Sequence, residues 1–448
     1  MEKVTRLTEG SNQDTLIFET IHNSNYTQNQ TGERLRNEKM CRRFAASASR
    51  IESLPAEIRE NILFSLTDCQ SLRNLTKASL LFHTQFKLAE EKLLTATLER
   101  ELDGYTADAI ATVESRPVCL EDPRTNTVVE KFMDEYHEWL HGPNPVKGLE
   151  SLGRRGLKWL FQFHLDIITP LSKELAKCAM KNMANEKDIE SSKIDDAVEN
   201  GFELSPGEQK RLAQAMYRHQ TYQHLFGNQG DRQGHLGKAA LVEILKVMFS
   251  SWEIEAIACV DRLAEDYYDG LFGSVREGIP QLQSTVSVSG VSKPLRPVWA
   301  SFNGYFRAAS KGTVSEGFVR MWEFCRVATH HELLLSTTLE RAEELKSYAE
   351  LFDGVMNHAE VFDGGILLAE DAAEADDCPS GIDLAIGSMP CTYGTDCVPS
   401  SFRHWGYAIW DRDWWESFDA EDAMHRQWKD YEYTMEQYVR DCRNDLWT

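Results

Sequence analysis

The sequence predicts an all-α protein, and three observations carry that prediction. Apolar residues recur at helical spacing, beginning with Leu54, Ile58, Ile62 and Leu66, with Leu63 beside them. Helix starts are marked by their chemistry. Leu54-Pro55 opens one helix, and Leu204-Ser205-Pro206-Gly207-Glu208 opens another with a cap, a proline at the first position and a glutamate behind it. Strand-like alternation is rare; Ser284 to Val291 is the best case, and it reads as a loop. No period of about 20–50 residues repeats, so leucine-rich, kelch or WD-type arrays are unsupported.

The elements follow in order. Residues 1–49 are polar and are expected to be disordered, with a local helix near 33–46. Pro55 then sits in the first turn of a helix, where its missing N–H does no harm, and Glu57 and Glu60 suit the positive helix end. Thr67 and Asp68 are candidate caps for a second helix, and Thr67-x-x-Gln70 has capping-box form. The pattern from Leu80 to Leu102 stays helical until Gly104. Further helices are expected at 107–115, 127–141, 149–165, 169–184, 205–226, 237–250, 253–268, 296–309, 315–327 and 330–358. The stretch 361–400 changes character: Glu370 to Asp377 carries five acids and no base, with Gly and Pro following, which reads as a solvated linker loop. The segment 401–448 differs again, holding six of the eleven tryptophans. An aromatic side chain can bury about 150–250 Å², so this segment should pack back on the helical body.

Composition narrows the function classes. A chain of 448 residues has room for several cores or one large helical unit. Its 71 acidic and 48 basic side chains give a net charge of -23, which would repel a phosphate backbone, so no nucleic-acid partner is expected. No apolar run approaches the roughly 20 residues of a membrane helix, and the opening Met-Glu-Lys-Val-Thr-Arg has no apolar region of a secretory signal. The ten cysteines are scattered without a C-x-x-C pair. That pattern fits reduced thiols of the cytoplasm or nucleus and no structural zinc.

The forty-residue stretch from Ser53 resembles the F-box. The F-box pattern is Leu-Pro-x-Glu-Ile, an Ile-Leu pair, a Leu, then leucines leading into an Ala-Ser step. Those positions are filled here by Leu54, Pro55, Glu57, Ile58, Ile62, Leu63, Leu66, Leu72, Leu75, Ala78 and Ser79. The resemblance implies a three-helix F-box module at 50–95 that binds a Skp-type adaptor and, through it, cullin and RING subunits of a ubiquitin ligase. It also implies Leu54, Pro55, Ile58, Ile62, Leu63, Leu66, Leu72 and Leu75 as adaptor-binding residues. Where many F-boxes carry a tryptophan near the start of the third helix, this chain has Leu81-Phe82-His83, with Phe82 and Phe86 as substitutes. The body at 96–360 looks like the long helical region of filamentous-fungal F-box proteins. That likeness rests on Leu204-Ser-Pro-Gly-Glu, Ser251-Trp-Glu-Ile-Glu-Ala-Ile-Ala258 and Arg403-His-Trp-Gly-Tyr-Ala-Ile-Trp-Asp-Arg412.

One catalytic-looking string stands beside this pattern. His137-Glu138-Trp-Leu-His141 has the H-E-x-x-H form of a zinc hydrolase helix, with Glu138 as base. Three features oppose it: Gly142-Pro143 ends the helix at once, Asp134 and Glu135 charge the turn upstream, and no third ligand follows. A surface helix with two solvated histidines is the plainer reading. His330-His331-Glu332 reads as a polar helix start, and His219 and His224 as packing residues among aromatics. Nucleophile-elbow, phosphate-loop and dinucleotide-binding motifs are missing from the sequence. The expectation is therefore a non-catalytic substrate receptor without cofactor or metal, of unknown substrate. A scaffold holding the adaptor outside any ligase, and a zinc hydrolase using His137, Glu138 and His141, are the alternatives.

Overall fold

The structure is a computed structural model that describes residues 51–116, 119, 125–142, 148–185, 202–226, 244–282, 318, 400–418, 420 and 422–429. The expected lead-in at 1–49, the linker at 361–399, the loop at 284–291 and the helices at 296–309 and 330–358 lie outside these residues, as does Trp447. Every regular element among the described residues is helical, as expected. The chain divides into two units between Glu101 and Leu102.

The first unit holds α1 (Ala56–Ser65), α2 (Cys69–Ala78), α3 (Leu80–Leu88) and α4 (Glu90–Glu101). Pro55 stands at the N-cap of α1, one position before the first turn expected for it. Asp68, not Thr67, caps α2: its Oδ1 accepts the Ser71 amide at 2.7 Å. The long helix expected from Leu80 to Leu102 is broken at Ala89, whose backbone leaves the helical region. No glycine or proline marks the break. It turns α4 back so that Leu93, Leu94 and Leu98 join Leu63, Cys69, Leu72 and Phe82 in the buried core. The unit therefore includes all of α4, part of which the sequence reading gave to the body.

The second unit starts with α5 (Thr106–Glu114) and α6 (Asn126–His141). A 3₁₀ turn (Leu149–Leu152) leads into α7 (Gly153–Phe163), and a π-helical step (His164–Ile168) joins that to α8 (Thr169–Ala184). Then come α9 (Pro206–Phe226), helical residues 244–248, α10 (Ser251–Leu282), α11 (Ser400–His404) and α12 (Arg412–Ser417). A capping box starts α9, and half of one starts α10. Ser205 and Glu208 exchange amide hydrogen bonds at 3.1 and 2.9 Å before α9, and Glu253 accepts the Ser250 amide at 2.9 Å before α10. Gly156 lets α7 fold tightly on the 3₁₀ turn before it: a Cβ there would stand 2.9 Å from Leu152 Cβ, while Val113 Cγ1 of α5, at 3.5 Å, would be in ordinary contact.

One guanidinium ties four of these helices together. Arg218 on α9 reaches Asp108 on α5 at 2.9 Å and Glu253 on α10 at 2.6 Å, and lies 4.5 Å over the Phe249 ring. Tyr136 on α6 donates its hydroxyl to the same Asp108, and Gln214 donates at 3.0 Å. Arg218 and Asp108 are buried, so each charge depends on the other for stabilisation. Burial pushes the Tyr136 hydroxyl well above its ordinary pKa, and Asp108 pushes it further.

The tryptophan-rich segment packs back on this body, as expected. Trp405, Trp410, Trp414, Trp415 and Trp428 are buried. Arg403 grips the buried Glu255 of α10 in a two-pronged pair at 2.7 and 3.0 Å. Arg211 of α9 donates to the Ile409 carbonyl at 2.9 Å and pairs with Asp411, which also accepts from Ser205. Asn182 of α8 donates to the His404 carbonyl at 2.9 Å. Gly406 makes the bend between these anchors at φ 66, where a side chain would be strained.

Asp108→Ala leaves Arg218 with one carboxylate, Glu253, and removes the carboxylate that accepts the Tyr136 hydroxyl, and should cost about 3–5 kcal/mol. The check is a lower urea midpoint at unchanged m-value. Burial alone would raise the Glu253 carboxyl, but Arg218 and the Ser250 amide and hydroxyl outweigh it and hold it below the usual range. Its stabilisation is thus full above the unfolded-chain value of about 4.3 and is lost as pH falls through the lower folded value. In urea titrations across acid pH, Glu253→Gln should be less stable at neutrality and lose less stability on acidification than the unmodified chain.

Candidate functional site

The site expected from the sequence is the α1 surface. Its backbone is fixed from several sides. Arg59 donates to the Glu52 carbonyl at 3.2 Å and to the Leu54 carbonyl at 2.5 Å, which pins the turn carrying Leu54 and Pro55. Ser79 donates to Glu52 at 2.5 Å and caps α3 through the Phe82 amide at 3.4 Å. Arg100 of α4 donates to the Leu66 carbonyl at 2.6 Å, and Glu101 accepts the Cys69 amide at 2.6 Å. Both ends of α1 are thus held by residues well removed in sequence.

On this frame the eight expected residues separate into two groups. Ile58 is 44 % exposed, Pro55 is exposed, and Leu54, Ile62, Leu66 and Leu75 are half-buried. Leu63, at 0 %, and Leu72 are buried within the unit. The single wide apolar face expected for α1 is really two. Ile58 and Ile62, one turn apart, form an outward crest that Leu54 extends from the bend before the helix, while Leu63 lies about 100° on from Ile62 and is buried. Periodicity could not separate them, because the ten-residue helix carries apolar residues on both sides.

Sequence reasoning missed a second patch. On α3, Leu80 and Leu88 are each 79 % exposed, and Leu81 is exposed between them. Residues 80, 81, 84 and 88 share one side of a helix. Their spacing was a readable signal, but these leucines lay inside a helix expected to run on to Leu102. Ile51, before α1, is exposed as well. The residues offered in place of the missing tryptophan are in the core side of α3, Phe82 buried and Phe86 half-buried.

The catalytic-looking groups gather no site. His137 and His141 lie with ring centres 4.9 Å apart, tilted by 53°, at the C-terminal end of α6, and His141 Nε2 lies 2.9 Å from the Met248 carbonyl oxygen. Among the described residues, no three His, Cys, Asp or Glu side chains converge as a metal site would need. His219 lies buried, 2.9 Å from Asp261 and stacked on Phe318, and His224 meets Ser115 at 3.0 Å. His330, His331 and Glu332 are outside the described residues. Burial raises the thiols of Cys69 and Cys259 and brings Cys178 to about 12, which keeps all three protonated and poorly nucleophilic. Among the described residues no helix is long and apolar enough to cross a membrane.

The chain matches no protein-family model, no curated protein and no solved structure.

The division of α1 gives a direct test. Leu63→Ala should destabilise the protein by about 2–5 kcal/mol. Ile58→Ala should change stability by about 0.5 kcal/mol or less, as read by chemical unfolding of the full chain.

Proposed function

We propose that this chain is an F-box substrate receptor of the filamentous-fungal kind. Its first unit docks on a Skp-type adaptor linked to a cullin and RING ubiquitin ligase, and its second unit presents a protein substrate. The supporting observation is the distribution of uncovered apolar side chains. Of the six large apolar residues exposed among the described residues, five lie in the first unit: Ile51, Ile58, Leu80, Leu81 and Leu88. Of these, Ile58 is also one of the positions that carry the F-box resemblance. A monomer gains nothing from holding such residues in water; a docking module needs them.

Magnitudes set the size of the interface. Full burial of one large aliphatic side chain contributes about 1.5–3 kcal/mol, and association costs an estimated 4–15 kcal/mol. The α1 crest is already half-covered in the free chain, so it returns less than full value. The exposed α3 leucines supply the remainder. The docking unit is therefore the whole module, with Leu63 and Leu72 holding its shape from inside while Leu54, Pro55, Ile58 and Ile62 touch the adaptor. No catalytic role is assigned to the chain in this reading.

The paired change Leu54→Ala and Pro55→Ser should abolish co-purification of the Skp-type adaptor while leaving the far-ultraviolet circular dichroism spectrum unchanged. Adaptor recovered at the level of the unmodified chain would contradict the proposal.

A further inference from the structure

One helix face of the first unit stays uncovered beside the point where the chain enters that unit. On α3, Leu80, Leu81 and Leu88 are exposed, with Thr84 exposed on the same side. Ile51, where the described residues begin, is exposed as well. Glu52 accepts a hydrogen bond from Ser79 at 2.5 Å, and Ser79 is the N-cap of α3, one residue before Leu80. The fifty residues ahead of Ile51 lie outside the described ones, and the chain that carries them is thus anchored at one end of the leucine face.

Reach does not select an occupant from those fifty residues. About thirty residues separate Phe18 from Ile51, and extended chain covers about 3.3 Å per residue. The nine residues of α3 span only about 13 Å. Apolar content and charge do select. Leu16-Ile17-Phe18 is the one run of three large apolar residues in 1–50, and Ile21 follows it. Ile17, Phe18 and Ile21 repeat the i, i+1, i+4 spacing of Leu80, Leu81 and Thr84. Asp14 and Glu19 accompany them, and no Lys or Arg occurs from Ser11 to Gln30. The apolar residues from Leu35 to Phe44 stand instead among Arg36, Lys39, Arg42 and Arg43. The facing stretch, Cys69 to Ala89, contains no Asp or Glu, and Lys77 is exposed at the end of α2. A basic segment finds no charge partner on that stretch, whereas Asp14 and Glu19 complement it.

We propose that residues 14–21 fold back on α3, setting Phe18 and Ile21 against Leu80, Leu81 and Leu88, and so compete with the adaptor for that face. This regulates the docking surface of the adaptor reading and rests on that reading. The contact keeps leucines out of water until the adaptor arrives. The tether raises the effective concentration of the segment to about a millimolar, so a weak contact is enough. The apparent affinity for the adaptor then falls with the fraction of chains whose face is free.

Two measurements on the full chain test this. In the first, Phe18→p-benzoylphenylalanine is irradiated and its crosslinks are mapped by mass spectrometry. The expected product is a monomer crosslinked within one chain to residues 80–88, and the same replacement at Phe44 should give none there. No crosslink from position 18 to α3, a crosslinked dimer in its place, or an equal yield from position 44 would overturn the proposal. In the second, Phe18→Asp with Ile21→Asp should bind purified Skp-type adaptor about threefold more tightly than the unmodified chain, read by titration calorimetry. Equal affinity would overturn the competition. Adaptor bound by neither protein would overturn the receptor reading instead, and the crosslink would still decide whether the segment occupies α3.

Discussion

A ten-residue helix with apolar side chains on both sides can turn only one side toward its neighbours. That constraint shapes the whole first unit. α1 sends Leu63 into the core that also holds Leu72, Phe82, Leu93 and Leu98, and by doing so leaves Ile58 outward and Ile62 half-covered. α3 faces the same choice, with Phe82 inside and Leu80, Leu81 and Leu88 outside. Helices of nine to twelve residues offer no further surface to cover the remainder. The exposure follows from the sequence and does not depend on a loose fold, since the helix ends are pinned by Arg59, Asp68, Ser79 and Arg100.

The second unit solves the same problem with length and charge. α9 and α10 are long enough to bury residues on several sides, including Arg218, Glu255 and His219. Buried ions are costly unless paired and hydrogen-bonded. Arg218 meets that demand with Asp108 and Glu253, and Arg403 with Glu255. The tryptophan-rich segment then closes the body, its stacked Trp410 and Trp414 rings 4.5 Å apart.

Much of this was legible in the sequence where local chemistry decides structure. The capping box at Ser205 and Glu208, the stop at Gly142 and the helices expected at 107–115, 127–141 and 205–226 are set by residues within a turn of one another; the gap expected between 165 and 169 is instead a π-helical step in one run from Leu149 to Ala184. The return of the tryptophan segment followed from apolar area alone. What could not be read was set by distant partners. The break at Ala89 has no sequence mark, because it exists to bring Leu93 and Leu98 over α2. The inward and outward roles of Leu63 and Ile58 look alike in the sequence, since only the position of α4 tells them apart. The partners of Arg218 lie 110 and 35 positions away, and no local pattern links them.

The central claim is that the outward leucines and isoleucines of the first unit belong to an interface with a second protein. Hydrogen–deuterium exchange of the full chain, with and without purified Skp-type adaptor, addresses it most directly. Slowed exchange confined to residues 51–66 and 79–89 on adding the adaptor is the predicted result. Identical exchange in both samples at saturating adaptor would contradict the account.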